Sequence, residues 1–149
     1  MKVLAPAAGD GGLALVAALT AAAREFNRTL DIRLRFLDIG VDLIPLRPLH
    51  GQAGAPAQVW ASRVRQFLLQ EGPRLVVALA GDPAALSAAL EAEERGIRAV
   101  VLVPRDEPDT AIEIAERCPA ARRHELGDID DPEEGRRLIE ILVAERATT

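Results

Sequence analysis

The chain has 149 residues, of which 49% are hydrophobic and 28% charged, a composition typical of one globular domain with a core of its own. Acidic residues outnumber basic ones by 23 to 18, which opposes non-specific binding to nucleic acid and to anionic membranes. Cys118 is the only cysteine, so the sequence excludes an internal disulfide and a cysteine-based zinc site.

The first residues do not have the pattern of a secretory signal. Three glycines and an aspartate at residues 9–12 interrupt the apolar run that follows Met1 and Lys2. Residues 13–23 are apolar but too few to span a bilayer. With only one cysteine in the chain as well, we expect an intracellular, cytoplasmic location.

The first half of the chain alternates between strand and helix patterns. Residues 3–8 form a short apolar run, and the glycine loop after it leads into a helical pattern over residues 13–27 that we expect to be buried on most of its surface. Apolar and polar side chains alternate over residues 31–39, which predicts a strand near an edge of the sheet. Residues 40–56 carry three prolines and two glycines after Gly40 and are the longest irregular segment. Such loops often act as lids, here with Arg47, His50 and Gln52 as candidate contacts.

The second half predicts strands that are covered on both faces. Residues 75–80 and 99–103 are apolar without alternation, which is typical of the middle of a parallel sheet. Helices are predicted from Pro56 to Gly72, from Asp82 to near Gly96, over residues 109–117 and over residues 131–146, with a short strand at residues 121–126. The sequence thus predicts a single-domain α/β fold, a three-layer α/β/α sandwich of the Rossmann-like kind with about five mostly parallel strands.

The candidate binding residues follow from this fold, because open parallel sheets bind ligands at the carboxyl ends of their strands. These ends carry the following candidates: Gly9, Asp10, Gly11 and Gly12 after the first strand, Gly81 and Asp82 after the third, and Arg105 and Glu107 after the fourth. The glycine loop leads into a helix N-terminus, which suits a phosphate. It equally suits a structural turn that Asp10 caps.

Asp82 and the other acidic residues of this edge also allow two interpretations. Asp82 could cap the helix after it, or it could accept a hydrogen bond from a sugar hydroxyl or act as a base. Together with Asp10, Asp106, Glu107 and Asp128 it could instead hold Mg²⁺ in a small hydrolase, although acidic loop residues are more often solvated or capping. We assign no metal site and no cofactor, and no arrangement of a nucleophile with a base stands out.

Part of the chain resembles a known family. Residues 73–103, PRLVVALAGDPAALSAALEAEERGIRAVVLV, are similar to a strand, Gly-Asp, helix and strand unit of the non-hydrolysing UDP-N-acetylglucosamine 2-epimerases. The start, MKVLAPAAGDGG, is similar to their first strand and loop, and Pro132, Glu133, Glu134 and Arg137 resemble their Pro-Glu-Glu-x-x-Arg segment. Those enzymes have two Rossmann-like halves with the UDP-sugar between them, and this chain would correspond to the N-terminal half.

The departures from that family concern its catalytic motifs. Asp10, Gly11 and Gly12 stand where the family has Arg-Pro-Glu, and its His-Val-Glu-Ala-Gly is absent after the fourth strand. The resemblance therefore implies an epimerase-related domain that binds a nucleotide, a nucleotide sugar or another phosphorylated molecule without epimerase activity of its own. A second copy or a partner domain would have to supply the other wall of a cleft. The alternative is an interaction or structural domain without a ligand.

Overall fold

Five parallel strands form one sheet in the computed structural model of the chain, which describes residues 1–49, 54–106 and 108–147. The strands are β1 (Lys2–Pro6), β2 (Asp42–Leu46), β3 (Leu75–Leu79), β4 (Arg98–Val103) and β5 (Arg122–Glu125). The helices are α1 (Asp10–Thr29), α2 (Ile32–Arg35), α3 (Ala57–Glu71), α4 (Ala85–Glu94), α5 (Pro108–Arg117) and α6 (Pro132–Ala147). The predicted Rossmann-like α/β fold is confirmed.

The sheet separates two hydrophobic cores. Leu15 and Leu19 of α1 and Leu138 of α6 pack on one face, and Trp60 of α3 packs with α4 and α5 on the other. Neighbouring residues of one strand, such as Val76 and Val77, belong to opposite cores. This explains why β3 and β4 are continuously apolar, because both faces of each strand are covered.

The strand order, β2-β1-β3-β4-β5, determines where a ligand site can form. The chain passes from β1 to β2 on one side and then crosses to β3 on the other side of β1. The loops after β1 and β3 therefore lie side by side at the carboxyl end of the sheet. Doubly wound folds with this order bind their ligands at this point, which is called the switch point. It contains the predicted glycine loop and Gly81 with Asp82.

The prediction of an edge strand at residues 31–39 is wrong, and so is that of an irregular segment at residues 42–46. Residues 32–35 form the short helix α2, and the edge strand is β2, which contains Pro45. Asp42 N–H donates to Met1 O, and Leu46 O accepts from Ala7 N–H. The backbone N–H and C=O groups of the even-numbered residues of β2 therefore point towards β1. Pro45 therefore lies on the outer side of the edge, where no ladder N–H is needed.

The predicted bounds of two helices also differ from the observed ones. α1 begins at Asp10 rather than at Leu13, and it is less buried than expected because Ala14, Ala17 and Ala21 are exposed. α4 begins at Ala85, after a turn that contains Asp82. Among the described residues, no helix has both the length and the apolar character needed to cross a membrane.

Candidate functional site

The carboxylate of Asp82 joins the two loops of the switch point. Asp82 is only 7% exposed, and its oxygens accept hydrogen bonds from the N–H of Ala8 (3.0 and 3.1 Å), of Gly9 (2.8 Å) and of Ala84 (2.9 Å). Both carboxylate oxygens are thus engaged, and the Ala8 N–H is shared between them. Asp82 therefore binds the backbone of its own chain and holds the β1–α1 loop against the β3–α4 turn.

This geometry replaces both capping interpretations. The N-cap of α4 is Ala84, and the Asp82 side chain binds the Ala84 N–H within the turn before that helix. The N-cap of α1 is Gly9, which has no side chain, while Asp10 is the exposed first residue of the helix. Asp10 thus adds a negative charge to the first turn of α1 without capping it.

Gly12 shows how closely the Asp82 carboxylate approaches α1. A Cβ atom added to Gly12 would lie 3.0 Å from Asp82 Cγ, still closer to Oδ1, and 3.1 Å from Ala7 Cβ. The positive end of the α1 dipole therefore already faces a carboxylate, which would repel a phosphate beside Gly12. A phosphate is better accommodated elsewhere on this edge.

Exposed glycine backbone remains on the solvent side of the Asp82 contacts. Gly9 is half-buried, and Gly11 and Gly81 are exposed. Gly81 has a φ of 95°, a left-handed conformation that other residues rarely adopt. A Cβ on Gly9 would lie 3.5 Å from both Asp82 Oδ1 and Pro83 Cδ, so the two loops touch. We call Gly9, Gly11 and Gly81 the glycine shelf.

The first turn of α1 borders the glycine shelf and adds backbone N–H donors to it. The first hydrogen bond of this helix runs from Leu13 N–H to Gly9 O at 2.9 Å, so the N–H groups of Asp10 and Gly11 precede it. Both residues are exposed to solvent. The shelf can therefore offer backbone donors to a ligand that lies flat against it.

The remaining predicted site residues are placed differently. Arg105 lies in a separate cleft of about 560 Å³ above β4 and β5, where its exposed side chain pairs with Glu125 at 3.1 Å. Arg47 is exposed directly after β2, at the same end of the sheet as the shelf. His50 and Gln52 of the predicted lid and Glu107 lie outside the described residues.

The segment that resembles the epimerase Pro-Glu-Glu-x-x-Arg motif holds the β5–α6 loop. Glu134 accepts hydrogen bonds from the Gly127 N–H and from Arg137, whose Nη2 also donates to Glu125 O at 2.7 Å. The hydrogen bond from Arg137, helped by that from Gly127, keeps the pKa of Glu134 below its usual value against the opposing effect of burial. The Asp131 side chain accepts from the Glu133 N–H, which confirms the predicted cap of α6.

A charge cluster around the buried Glu145 joins β4, β5 and α6 and was not apparent from the sequence. Glu145 is 5% exposed and accepts hydrogen bonds from Arg98 (2.9 Å), from Arg122 (3.2 Å) and, at 2.9 Å, from His124 Nε2. Burial alone would raise the pKa of Glu145, but these hydrogen bonds and charges outweigh it and lower the pKa. Arg122 and His124 are two residues apart on β5, so their side chains share one face of the strand. This spacing is the signal that could have revealed the cluster.

The described residues include no group of three or more histidine, cysteine, aspartate and glutamate side chains that could share a metal ion. Asp106 is exposed, and Asp128 Oδ1 accepts a hydrogen bond from the Asp130 N–H at 2.9 Å. Cys118 is 1% exposed, and burial raises the pKa of its thiol to about 11, which disfavours the reactive thiolate.

Comparisons with known proteins support the fold alone. No protein-family model matches the chain, and no curated protein matches it significantly. One similar solved structure is the solution NMR structure of a de novo designed protein with a P-loop NTPase fold, Northeast Structural Genomics Consortium target OR32. It is 16% identical, with a TM-score of 0.52 over 99% of this chain and 93% of that chain. A P-loop needs a lysine after its glycines, whereas Lys2 is the only lysine here.

Proposed function

We propose that this chain is a ligand-binding domain related to the N-terminal half of the UDP-N-acetylglucosamine 2-epimerases, and that it takes a nucleotide sugar or a similar phosphorylated molecule at the glycine shelf. The observation that supports this most is the contact of the Asp82 carboxylate with Ala8 and Gly9. It holds the loops after β1 and β3 together at the point where folds of this strand order bind ligands.

The charges of the site favour one orientation of the ligand. The Asp82 carboxylate lies beside the first turn of α1, so the uncharged sugar is better suited to the shelf than the phosphate is. The backbone N–H groups of Asp10 and Gly11 can donate hydrogen bonds to sugar hydroxyls. The phosphate is then directed away from Asp82, towards solvent or towards a cation of the same edge such as Arg47.

The chain's own residues give no reason to expect catalysis. Both oxygens of Asp82 accept hydrogen bonds from backbone N–H groups, so its observed role is to position the loop rather than to act as a base. In this proposal binding is separate from chemistry, and an active cleft requires a second wall from a partner domain or another copy.

Thermal unfolding with UDP-N-acetylglucosamine, UDP and N-acetylglucosamine tests the proposal. A ligand present at about a hundred times its Kd adds about 2.7 kcal/mol, which raises the Tm of a domain of this size by about 5–10 °C. Gly11→Ala should abolish this rise, because the added methyl stands on the shelf, 3.3 Å from Leu79 Cδ2 and clear of Asp82.

Gln70→Ala is the control, because Gln70 is exposed at the end of α3, away from both the shelf and the predicted lid. It should leave the ligand-induced rise in Tm unchanged. If none of the three compounds raises the Tm of the unsubstituted protein, or if Gly11→Ala responds as fully as the control, the proposal is wrong.

A further inference from the structure

An apolar segment lies at the end of the sheet opposite the glycine shelf. Residues 32–37 comprise α2 and the two residues after it, and we call them the α2 segment. Ile32 is 66% exposed, Phe36 88% and Leu37 63%, while Arg33 between them is also exposed. Monomeric proteins rarely present such a contiguous apolar group to water, so it indicates a binding surface.

A groove lies beside the end of α1 that leads into the α2 segment. α1 and α6 approach so closely that a Cβ on Gly135 would lie 3.1 Å from Ala22 Cβ. Between these helices lies a groove of about 560 Å³, the α1–α6 groove. Its apolar lining consists of Ala18, Ala21, Ala22, Phe26, Ile129, Pro132 and Gly135. Small side chains on its walls leave room for a larger one, such as a phenylalanine ring.

The charges of the two surfaces are opposite. Four carboxylates border the groove, against the single guanidinium of Arg136, which pairs with Glu133 at 3.4 Å. The carboxylates are those of Glu25, Asp130, Asp131 and Glu140. The α2 segment presents Arg33 among its apolar side chains. The two aspartates that flank the segment already have partners, since Asp31 accepts from the Arg33 N–H and Asp38 binds the N-terminal ammonium. An acidic apolar groove and a basic apolar segment on one chain attract each other between copies.

We propose that the α2 segment of one copy docks in the α1–α6 groove of a second copy, and that the contact is reciprocal. Phe26 lines the groove near the end of α1, and α2 begins three residues after that helix, so each copy presents segment and groove on neighbouring surfaces. Two such contacts related by a two-fold axis close a dimer. The glycine shelf, at the other end of the sheet, stays open.

Sedimentation equilibrium of the whole chain, from micromolar to millimolar concentrations, tests this dimer. Phe36→Asp places a charge on the segment, and Ala21→Arg blocks the groove with a bulky cation; both positions are exposed, so the fold is retained. Each variant should raise the dimer dissociation constant about tenfold or more. Leu69→Asp is the matched control, since Leu69 is 72% exposed but lies on α3, on the other face of the sheet.

A mixture of the two variants gives the sharpest result. Each variant alone loses both contacts of its dimer, whereas a mixed pair keeps one, in which the intact segment of Ala21→Arg enters the intact groove of Phe36→Asp. The mixture should therefore associate more strongly than either variant alone. The proposal is overturned if the unsubstituted chain is monomeric throughout, if Leu69→Asp dissociates it equally, or if the mixture behaves as the average of its components.

Discussion

Replacing Asp82 by alanine should destabilise the protein by about 3–5 kcal/mol, a large part of the stability of an ordinary domain. Three backbone N–H groups, of Ala8, Gly9 and Ala84, lose their acceptor. Each such loss costs about 1–3 kcal/mol, so three losses cost about 3–9 kcal/mol in total. The expected cost lies in the lower half of this summed range because water can reach Gly9. Urea unfolding followed by circular dichroism and by the fluorescence of Trp60 measures the loss.

Gly12 makes this prediction specific through a double-mutant cycle. Gly12→Ala alone should cost about 1–3 kcal/mol, because its methyl overlaps the Asp82 carboxylate. In the Asp82→Ala background that overlap is gone, and the higher helix propensity of alanine compensates part of the remaining contact with Ala7. The two substitutions should therefore be non-additive by about 2 kcal/mol, with the double variant more stable than the sum predicts.

Gly11 supplies the control for the cycle. A Cβ on Gly11 meets Leu79 rather than Asp82, so Gly11→Ala and Asp82→Ala should be additive within about 0.5 kcal/mol. A cost below about 1 kcal/mol for Asp82→Ala would refute the reasoning, because it would show that the three N–H groups do not depend on the carboxylate. Additivity of Asp82→Ala with Gly12→Ala would refute it as well.

Two further predictions concern titration. The pKa values of Glu91, Glu134 and Glu145 are lowered in the folded protein, that of Glu91 chiefly by a hydrogen bond from Arg65. The ionised carboxylates therefore stabilise the fold fully above the pKa of unfolded glutamate, about 4.3. This contribution is lost as the pH falls through the lower pKa values of the folded protein. Urea midpoints at pH 7, 5 and 3.5 should fall mainly below pH 5, and Glu91→Gln should flatten the fall; a flat profile contradicts this. Cys118 should react with a disulfide reagent at pH 8 only at the rate of unfolding, and rapid labelling of the folded protein would contradict its burial.

Much of the fold could be predicted because local patterns determine it. The continuous apolar runs of β3 and β4 reflect coverage by helices on both faces, and Asp131 with Pro132 gives an ordinary helix start. The error at residues 31–39 has a physical cause. Alternation of apolar and charged side chains also fits an exposed segment, and the sequence does not show that Phe36 and Leu37 stay in solvent.

Strand β2 and the role of Asp82 were harder to predict because both depend on distant partners. Pro45 usually excludes a central strand, and only the pairing with β1 shows that its missing N–H faces outwards. Asp82 has a normal sequence context for a cap, yet its partners Ala8 and Gly9 are 74 and 73 residues away. The candidate ligand-binding edge could be found from the sequence, but the hydrogen bonds of the Asp82 carboxylate to Ala8 and Gly9 could not.

Ligand binding at the glycine shelf is tested most directly by titrating the ¹⁵N-labelled chain with UDP-N-acetylglucosamine and following the amide signals by NMR. Saturable shifts are expected at the amides of Asp10, Gly11 and Gly81, the exposed backbone of the switch point, and these shifts should be lost in Gly11→Ala but not in Gln70→Ala. Shifts confined to the α1–α6 groove or to the cleft of Arg105, or no saturable shift at all, would contradict it.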